Sequence, residues 1–328
     1  MDYYNVKIMN DPEYLKGFSK RFNAPLIDRS GIMSRDIKVI SQITSKAKPP
    51  FKKFGEIADH RGYIILKKAS DENRDIRVSY SGGIDSTTAL ISLIKSQKEF
   101  PEVKIIVVMN KQSIEEYPLF YKKYIKGKMK VWMSEEKNLH KILQTETEKD
   151  FFIVTGELGD QLFGSALMFR ENLNKDLDKF WAVGFTPKFV KYWQPLVDKH
   201  PQQDDLSVAN VLWWFNFVLK YQWVQLRMFV LLEGEVPLES FIHFFAGPRF
   251  QAWAMNSPMS VKFPDLKDDK TYKNPAKKYI LNFTGDKEYF NNKLKKGSLK
   301  GNLDDSISKG LVKIGSNMKM IRDTDAAN

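Results

Sequence analysis

The sequence predicts an α/β fold, a parallel sheet with flanking helices followed by a mostly helical C-terminal part. Three observations lead there. Between residues 75 and 170, short apolar runs alternate with stretches of helical character. From about residue 171 onward, apolar side chains recur at helical spacing. The first apolar run ends in a Gly-Gly turn, Ser81-Gly82-Gly83-Ile84-Asp85-Ser86, that opens directly into a helical stretch.

Residues 1–72 read as a small N-terminal region of unknown role. Its pattern is mixed and weakly periodic, and Pro49-Pro50 and Ser70-Asp71-Glu72-Asn73 punctuate it as turns. Residues 73–300 form the main domain. There the predicted order is strand 76–80, helix 86–97, strand 103–109, helix 113–125, strand 129–133, helix 135–146 and strand 151–155. Strands separated by helices of this length imply a parallel sheet with right-handed crossovers. In the helical part, Val208, Val211, Leu212, Phe215, Val218, Leu219 and Gln222 share one stripe. The aromatic density around it (Trp213, Trp214, Phe215, Phe217, Tyr221, Trp223) reads as core rather than as a base-stacking platform. Residues 301–328 are rich in Gly, Ser, Asp and Lys and read as a mobile tail.

The Ser81–Ser86 stretch has the chemistry of a phosphate cradle. Two glycines let backbone N–H groups approach an anion without a Cβ in the way. The helix start adds unpaired N–H donors and a partial positive charge. Ser81 and Ser86 add hydroxyls. Asp85 would repel phosphate unless a cation lies between them, which points to Mg²⁺ with Asp85 as a ligand. No G-K-[ST] follows, so this is not a Walker A loop. The full string resembles the PP-loop of the ATP pyrophosphatases, enzymes that split ATP between its α and β phosphates.

A second motif follows the apolar run Phe151-Phe152-Ile153-Val154. Thr155-Gly156-Glu157-Leu158-Gly159-Asp160-Gln161-Leu162-Phe163-Gly164-Ser165 resembles the S-G-E-G-x-D-E-x-F-G-G segment of the asparagine synthetase C-terminal domain. Glu157, Asp160, Phe163 and Gly164 stand at matching positions. Gln161 replaces an acid and Leu158 a glycine. Both acidic loops follow strands, and in an open parallel sheet ligands bind outside the carboxyl ends of strands. Asp85 and Asp160 could therefore reach one magnesium–pyrophosphate. The resemblance implies an adenine nucleotide α-hydrolase-like fold. It also implies Asp85 and Asp160 as Mg²⁺ ligands and Glu157 as the residue that orients or deprotonates an attacking amine. Thr155 and Gly156 would line the adenine and ribose, and Met109, ending the strand at 103–109, would touch the adenine; a plain core methionine is the competing reading.

The family supplies a lysine near its C-terminal end to balance charge on the pentavalent phosphate and the leaving pyrophosphate. Lys277-Lys278-Tyr279-Ile280-Leu281 resembles the helix before it, and Lys293-Leu294-Lys295-Lys296-Gly297 the lysine segment itself. Lys295 fits best, with Lys296 a rival. The family's R-x-P-F-x-D element has its nearest counterpart in His243-Phe244-Phe245-Ala246, which lacks the proline and the acid.

Composition narrows the setting. The chain has 328 residues, 42% hydrophobic and 13% aromatic, ample for a packed core. The start, Met1-Asp2-Tyr3-Tyr4-Asn5, shows no signal-peptide pattern, and no run approaches a membrane span. There is no cysteine, which suits a cytoplasmic protein. It also removes the cysteine nucleophile by which asparagine synthetases release ammonia from glutamine. The nitrogen is expected to come as free ammonia, from a partner, or from a substrate amine. The four histidines, His60, His140, His200 and His243, form no metal spacing.

The leading expectation is thus an ATP-dependent, AMP-forming carbon–nitrogen ligase that adenylates a carboxylate and transfers an amine or ammonia, with ATP and Mg²⁺. Charge supplies a rival. Lys and Arg total 52 against 40 Asp and Glu, a net charge of +12. Tyr121-Lys122-Lys123-Tyr124-Ile125-Lys126-Gly127-Lys128-Met129-Lys130 interleaves aromatics with lysines, a surface suited to a phosphate backbone. A nucleic-acid-modifying enzyme and a non-catalytic scaffold of the same fold are therefore the alternatives.

Overall fold

The computed structural model describes residues 53–134, 150–164, 208–231 and 237–293, together with Arg29 and Ile43 as isolated positions. The expected helix 135–146 and the tail 301–328 lie outside the described residues, as do His140 and His200.

The core is a five-stranded, all-parallel sheet. Its strands are β1 (Asp75–Ser79), β2 (Ile105–Asn110), β3 (Lys130–Ser134), β4 (Phe151–Thr155) and β5 (Phe241–His243), in the spatial order β3-β2-β1-β4-β5. The register runs Ile76↔Ile105 and Ile76↔Phe152 on either side of β1. Strands β1, β2 and β4 are buried along nearly their whole length, which is why they read as continuous apolar runs rather than as alternating ones. The four expected strands are present, shifted by no more than two residues. β5 was not foreseen: three residues are too few to show any period.

Helix α1 (Phe54–Asp71) is the main departure. It buries Phe54, Ile57, Ala58, Gly62, Ile65, Leu66 and Ala69, a clean 3.6-residue stripe. It packs along α2 (Ile84–Ser96) in the same hydrophobic core. Residue 72 falls at a turn, with Asn73 at φ +51°, and the described residues 54–71 before it pack in the same core as α2.

The expected helix 113–125 is broken. Helix α3 (Lys111–Glu116) stops at Tyr117 (φ −145°, ψ 74°), because the following Pro118 pushes that residue out of the helical region. A short turn and a π-helical stretch (Tyr121–Ile125) carry the chain to β3. Helix α4 (Gly159–Phe163) follows β4.

In the helical part, α5 (Val208–Phe215), a π-helical turn (Asn216–Lys220) and α6 (Tyr221–Leu231) run consecutively. The expected single stripe is too narrow: Trp213, Trp214 and Phe217 are buried with Leu212, Phe215, Val218 and Leu219, so this stretch is buried on most sides. The tryptophans are core, as expected. Helices α7 (Pro248–Asn256), α8 (Met259–Lys262), α9 (Asn274–Thr284) and α10 (Lys287–Asn292) complete the described chain. Helix α9 packs on α1 and α2, which brings its N-terminus to the carboxyl end of β1. Among the described residues, no helix is long and apolar enough to cross a membrane.

Candidate functional site

β1 sits at the centre of the sheet. The chain goes to one side for β2 and β3 and to the other for β4 and β5. The point where strand order reverses lies between β1 and β4, and their carboxyl ends open the crevice where open α/β sheets bind ligands. The Ser81–Ser86 and Thr155–Asp160 loops leave from these two strand ends.

The first loop is held by its own hydroxyls. Ser81 Oγ lies 3.0 Å from Ser86 Oγ, the Ser81 N–H donates to Ser86 Oγ at 3.2 Å, and the Gly83 N–H donates to Ser81 Oγ at 3.3 Å. Gly82 has φ +73°, and a Cβ there would meet Glu116 Cβ at 2.8 Å, so both conformation and space require glycine. Gly83 caps α2, and Asp85 lies in its first turn.

The second loop fits against the first. A Cβ on Gly156 would come within 2.6 Å of Ser86 N, and one on Gly159 would strike the Asp85 carboxylate. Leu158, between them, is left-handed at φ +74° and buried. The resembled motif has glycine there, and the backbone explains why: a leucine in this conformation costs about 1–2 kcal/mol. Burial of the leucine side chain offsets that cost.

Asp85 and Asp160 do converge, and the group between them is Lys273. Its ammonium pairs with Asp85 Oδ2 and lies 2.7 Å from Asp160 Oδ1, with the lysine side chain only 5% exposed. Tyr272 Oη donates to Asp160 Oδ1 at 2.6 Å and fixes that carboxylate from the other side. Asp85 Oδ1 is buried without a hydrogen-bond partner. Burial pushes the Asp85 carboxyl up to about 6; Lys273 opposes this, while Asp160 and Glu157 add to it. Burial alone would lower Lys273, yet the carboxylates of Asp160 and Asp85 outweigh it and hold the ammonium above its usual value.

Lys273 was not foreseen. It breaks three local preferences at once: it is a cation at a helix N-terminus, it is left-handed at φ +56°, and it is buried. The signal available in the sequence was Lys273-Asn274-Pro275, because a proline marks the first turn of a helix and sets the lysine at its cap. Lys295, the expected lysine, lies outside the described residues. The described chain leads toward it from Lys293, whose buried ion pair with Glu116 anchors it beside Gly82.

Glu157 is half-buried at the same crevice, with its N–H donating to Thr155 Oγ1 at 3.2 Å. Met109 is fully buried in the apolar core, so its side chain does not line the crevice. Gln161 is buried and turns away from the crevice, its Nε2 donating to Asn216 Oδ1 at 3.1 Å. Asn216, in the π-helical turn, donates in turn to the Asp160 carbonyl at 2.5 Å. The replaced acid is thus a bolt between the second loop and the helical part. His243 ends β5, and Phe244 and Phe245 are buried core, so this stretch presents no acid to a substrate.

The lysine-aromatic cluster lies elsewhere. Lys126, Lys128 and Lys130 are exposed around the start of edge strand β3. That is the amino-terminal end of the sheet, about 16 Å of strand away from the crevice. No protein-family model, curated protein or solved structure matches the chain.

Proposed function

We propose that this chain is an ATP-dependent, AMP-forming carbon–nitrogen ligase of the asparagine synthetase kind, acting in the cytoplasm on a small carboxylate and an amine or ammonia. The observation that carries the reading is Lys273. A buried ammonium between two carboxylates, beside a glycine-tight loop at a helix N-terminus, is a set suited to a polyphosphate and its counter-cation. The donor set also fits Mg²⁺. Two carboxylates, one with an orphaned buried oxygen, can be completed by phosphate oxygens and water, as this ion prefers. Bound there by Asp85 and Asp160, Mg²⁺ would neutralise phosphate charge and polarise the bond to be broken.

The residues then divide the reaction. Ser81, Ser86 and the backbone of Gly82 and Gly83 hold the phosphates. A carboxylate oxygen of the substrate attacks the α-phosphorus, the bond to the β-phosphate oxygen breaks, and pyrophosphate leaves with that electron pair beside Lys273. The acyl-adenylate remains, with its adenosine near Thr155 and Gly156. The amine nitrogen attacks the acyl carbon, Glu157 takes its proton, and AMP leaves with the electrons of the broken C–O bond. The position of the lysine cluster at the far end of the sheet favours a small-molecule substrate over a nucleic acid.

ATP–pyrophosphate exchange, screened across amino acids, nucleotides and RNA, tests the proposal. Exchange stimulated by a small carboxylate supports it. Exchange stimulated by RNA alone moves the substrate onto nucleic acid. Absence of MgATP binding in a calorimetric titration would make the chain a scaffold.

A further inference from the structure

A run of hydrogen bonds reaches the Glu157 backbone from the opposite side of β4. His243 pairs with Thr155 in the β4–β5 register, and both side chains are buried. His243 Nε2 lies 2.7 Å from the Gln225 carbonyl oxygen on α6. His243 Nδ1 lies 2.7 Å from Thr155 Oγ1, and Thr155 Oγ1 accepts the Glu157 N–H at 3.2 Å. The ring's own backbone is tied down as well: Arg61 of α1 donates to the carbonyls of Phe244 at 3.1 Å and His243 at 3.3 Å.

Chemistry orients every proton in this run. A carbonyl oxygen only accepts, so Nε2 carries a proton. A neutral ring then has a bare Nδ1, which only accepts. Thr155 must therefore donate to Nδ1, and its lone pairs face the Glu157 N–H. Were Nδ1 protonated, Thr155 would accept twice and its own proton would find no acceptor among the described residues. Among the described residues, the arrangement is complete in one tautomer only.

We infer that His243 is a positioning residue: in its Nε2–H tautomer it fixes the Thr155 hydroxyl, and through it the backbone of Glu157, tying the second loop to α6. The inference deepens the ligase reading and rests on it for the role of Glu157. The adjoining left-handed Leu158 explains the need, since a strained turn keeps its shape only when its surroundings over-determine it.

Two measurements do not depend on catalysis. In the ¹⁵N spectrum of the wild-type protein near neutral pH, His243 should show a bare Nδ1 and a protonated Nε2; a protonated Nδ1 overturns the inference. Thr155→Val should speed hydrogen exchange of the Glu157 amide by about tenfold, the worth of one hydrogen bond; unchanged exchange overturns it too. Under turnover, His243→Gln, which keeps only the donor toward Gln225, should lower kcat of amide formation roughly 10–100-fold while KM for ATP changes little, and Thr155→Val should lower kcat by a similar factor. His243→Asn, which keeps an acceptor where Nδ1 stands, and Thr155→Ser should restore most of it. The double variant Thr155→Val/His243→Gln should be no worse than either single one. Additive losses, or failure of both conservative variants, overturn the positioning role. Absence of ligase activity in the wild type would refute the ligase reading instead, leaving the ¹⁵N and exchange results to decide the hydrogen-bond run.

Discussion

The loop after β1 is held by its own hydroxyls and backbone and, at Asp85, by Lys273, whereas the loop after β4 draws on several distant parts of the chain. Within Ser81–Ser86, two serine hydroxyls and the loop's own backbone N–H groups make the contacts. The Thr155–Asp160 loop needs His243 from β5, Asn216 from the π-helical turn, and Tyr272 and Lys273 from the approach to α9. The two also differ in what they contribute where they meet: the first brings bulk, Asp85 and Ser86, and the second brings room, Gly156 and Gly159. Damage to the first loop should therefore strike the chemistry directly. In the second, loss of Glu157 or Asp160 should do the same, while damage to its glycines and distant supports should arrive through shape and stability.

The sharpest break is Asp85→Ala. ATP–pyrophosphate exchange should fall on the order of 1,000-fold while the circular dichroism spectrum is unchanged; retained exchange would remove Asp85 from the site. Lys273→Met comes next, with exchange down about 100-fold. It leaves Asp85 and Asp160 facing each other unbalanced, so this variant should melt lower than wild type without metal and gain more from added Mg²⁺ in a thermal-shift series. An equal gain in both proteins would mean that Lys273 does not hold the cation's place.

Gly156→Ala should lower unfolding stability by up to about 3 kcal/mol, because its Cβ meets main chain rather than a yielding side chain; a neutral result in urea would mean that the two loops part easily. Asp85 also predicts a pH dependence. Its folded value of about 6 lies above its unfolded 3.8, so the folded state binds more protons in that window and stability falls as pH rises through it. The loss is on the order of 2 kcal/mol and should vanish in Asp85→Asn, as denaturant melts at pH 4 and pH 7 would show. Gln161→Glu, which restores the residue of the resembled motif, should cost about 1–2 kcal/mol, since a buried carboxylate would then face the Asn216 carbonyl oxygen. A stabilised variant would show that the second loop does not depend on the helical part in the way described.

The same contrast explains what was legible in the sequence. The Ser81–Ser86 loop could be read because its conformation is written in adjacent residues, two glycines and two serines between a strand and a helix. The buried strands announced themselves by apolar runs. Asp160 and Glu157 could be placed on the second loop, yet nothing near them names Lys273, which lies more than a hundred residues away and is brought in by the packing of α9 on α1 and α2. β5 is too short to carry a period, so His243 read as part of an eroded motif rather than as a support. Gln161 read as a lost acid because its partner, Asn216, lies across a tertiary contact. The stripe of helix α1 is written at helical spacing in the sequence and runs up to the turn cluster at Ser70–Asn73.

The parallel seam between β1 and β4 has a consequence for how the protein is made. Ile76 must find Phe152 across about 75 residues of chain, whereas its β2 partner lies only about 30 away. Contacts of such separation form slowly, because the entropy of closing the loop is lost before any pairing compensates it. During synthesis the Ser81–Ser86 loop emerges first, and its partners follow at Glu157, His243 and finally Lys273. A nascent chain therefore carries the Ser81–Ser86 loop long before it carries the residues that meet it in the folded crevice.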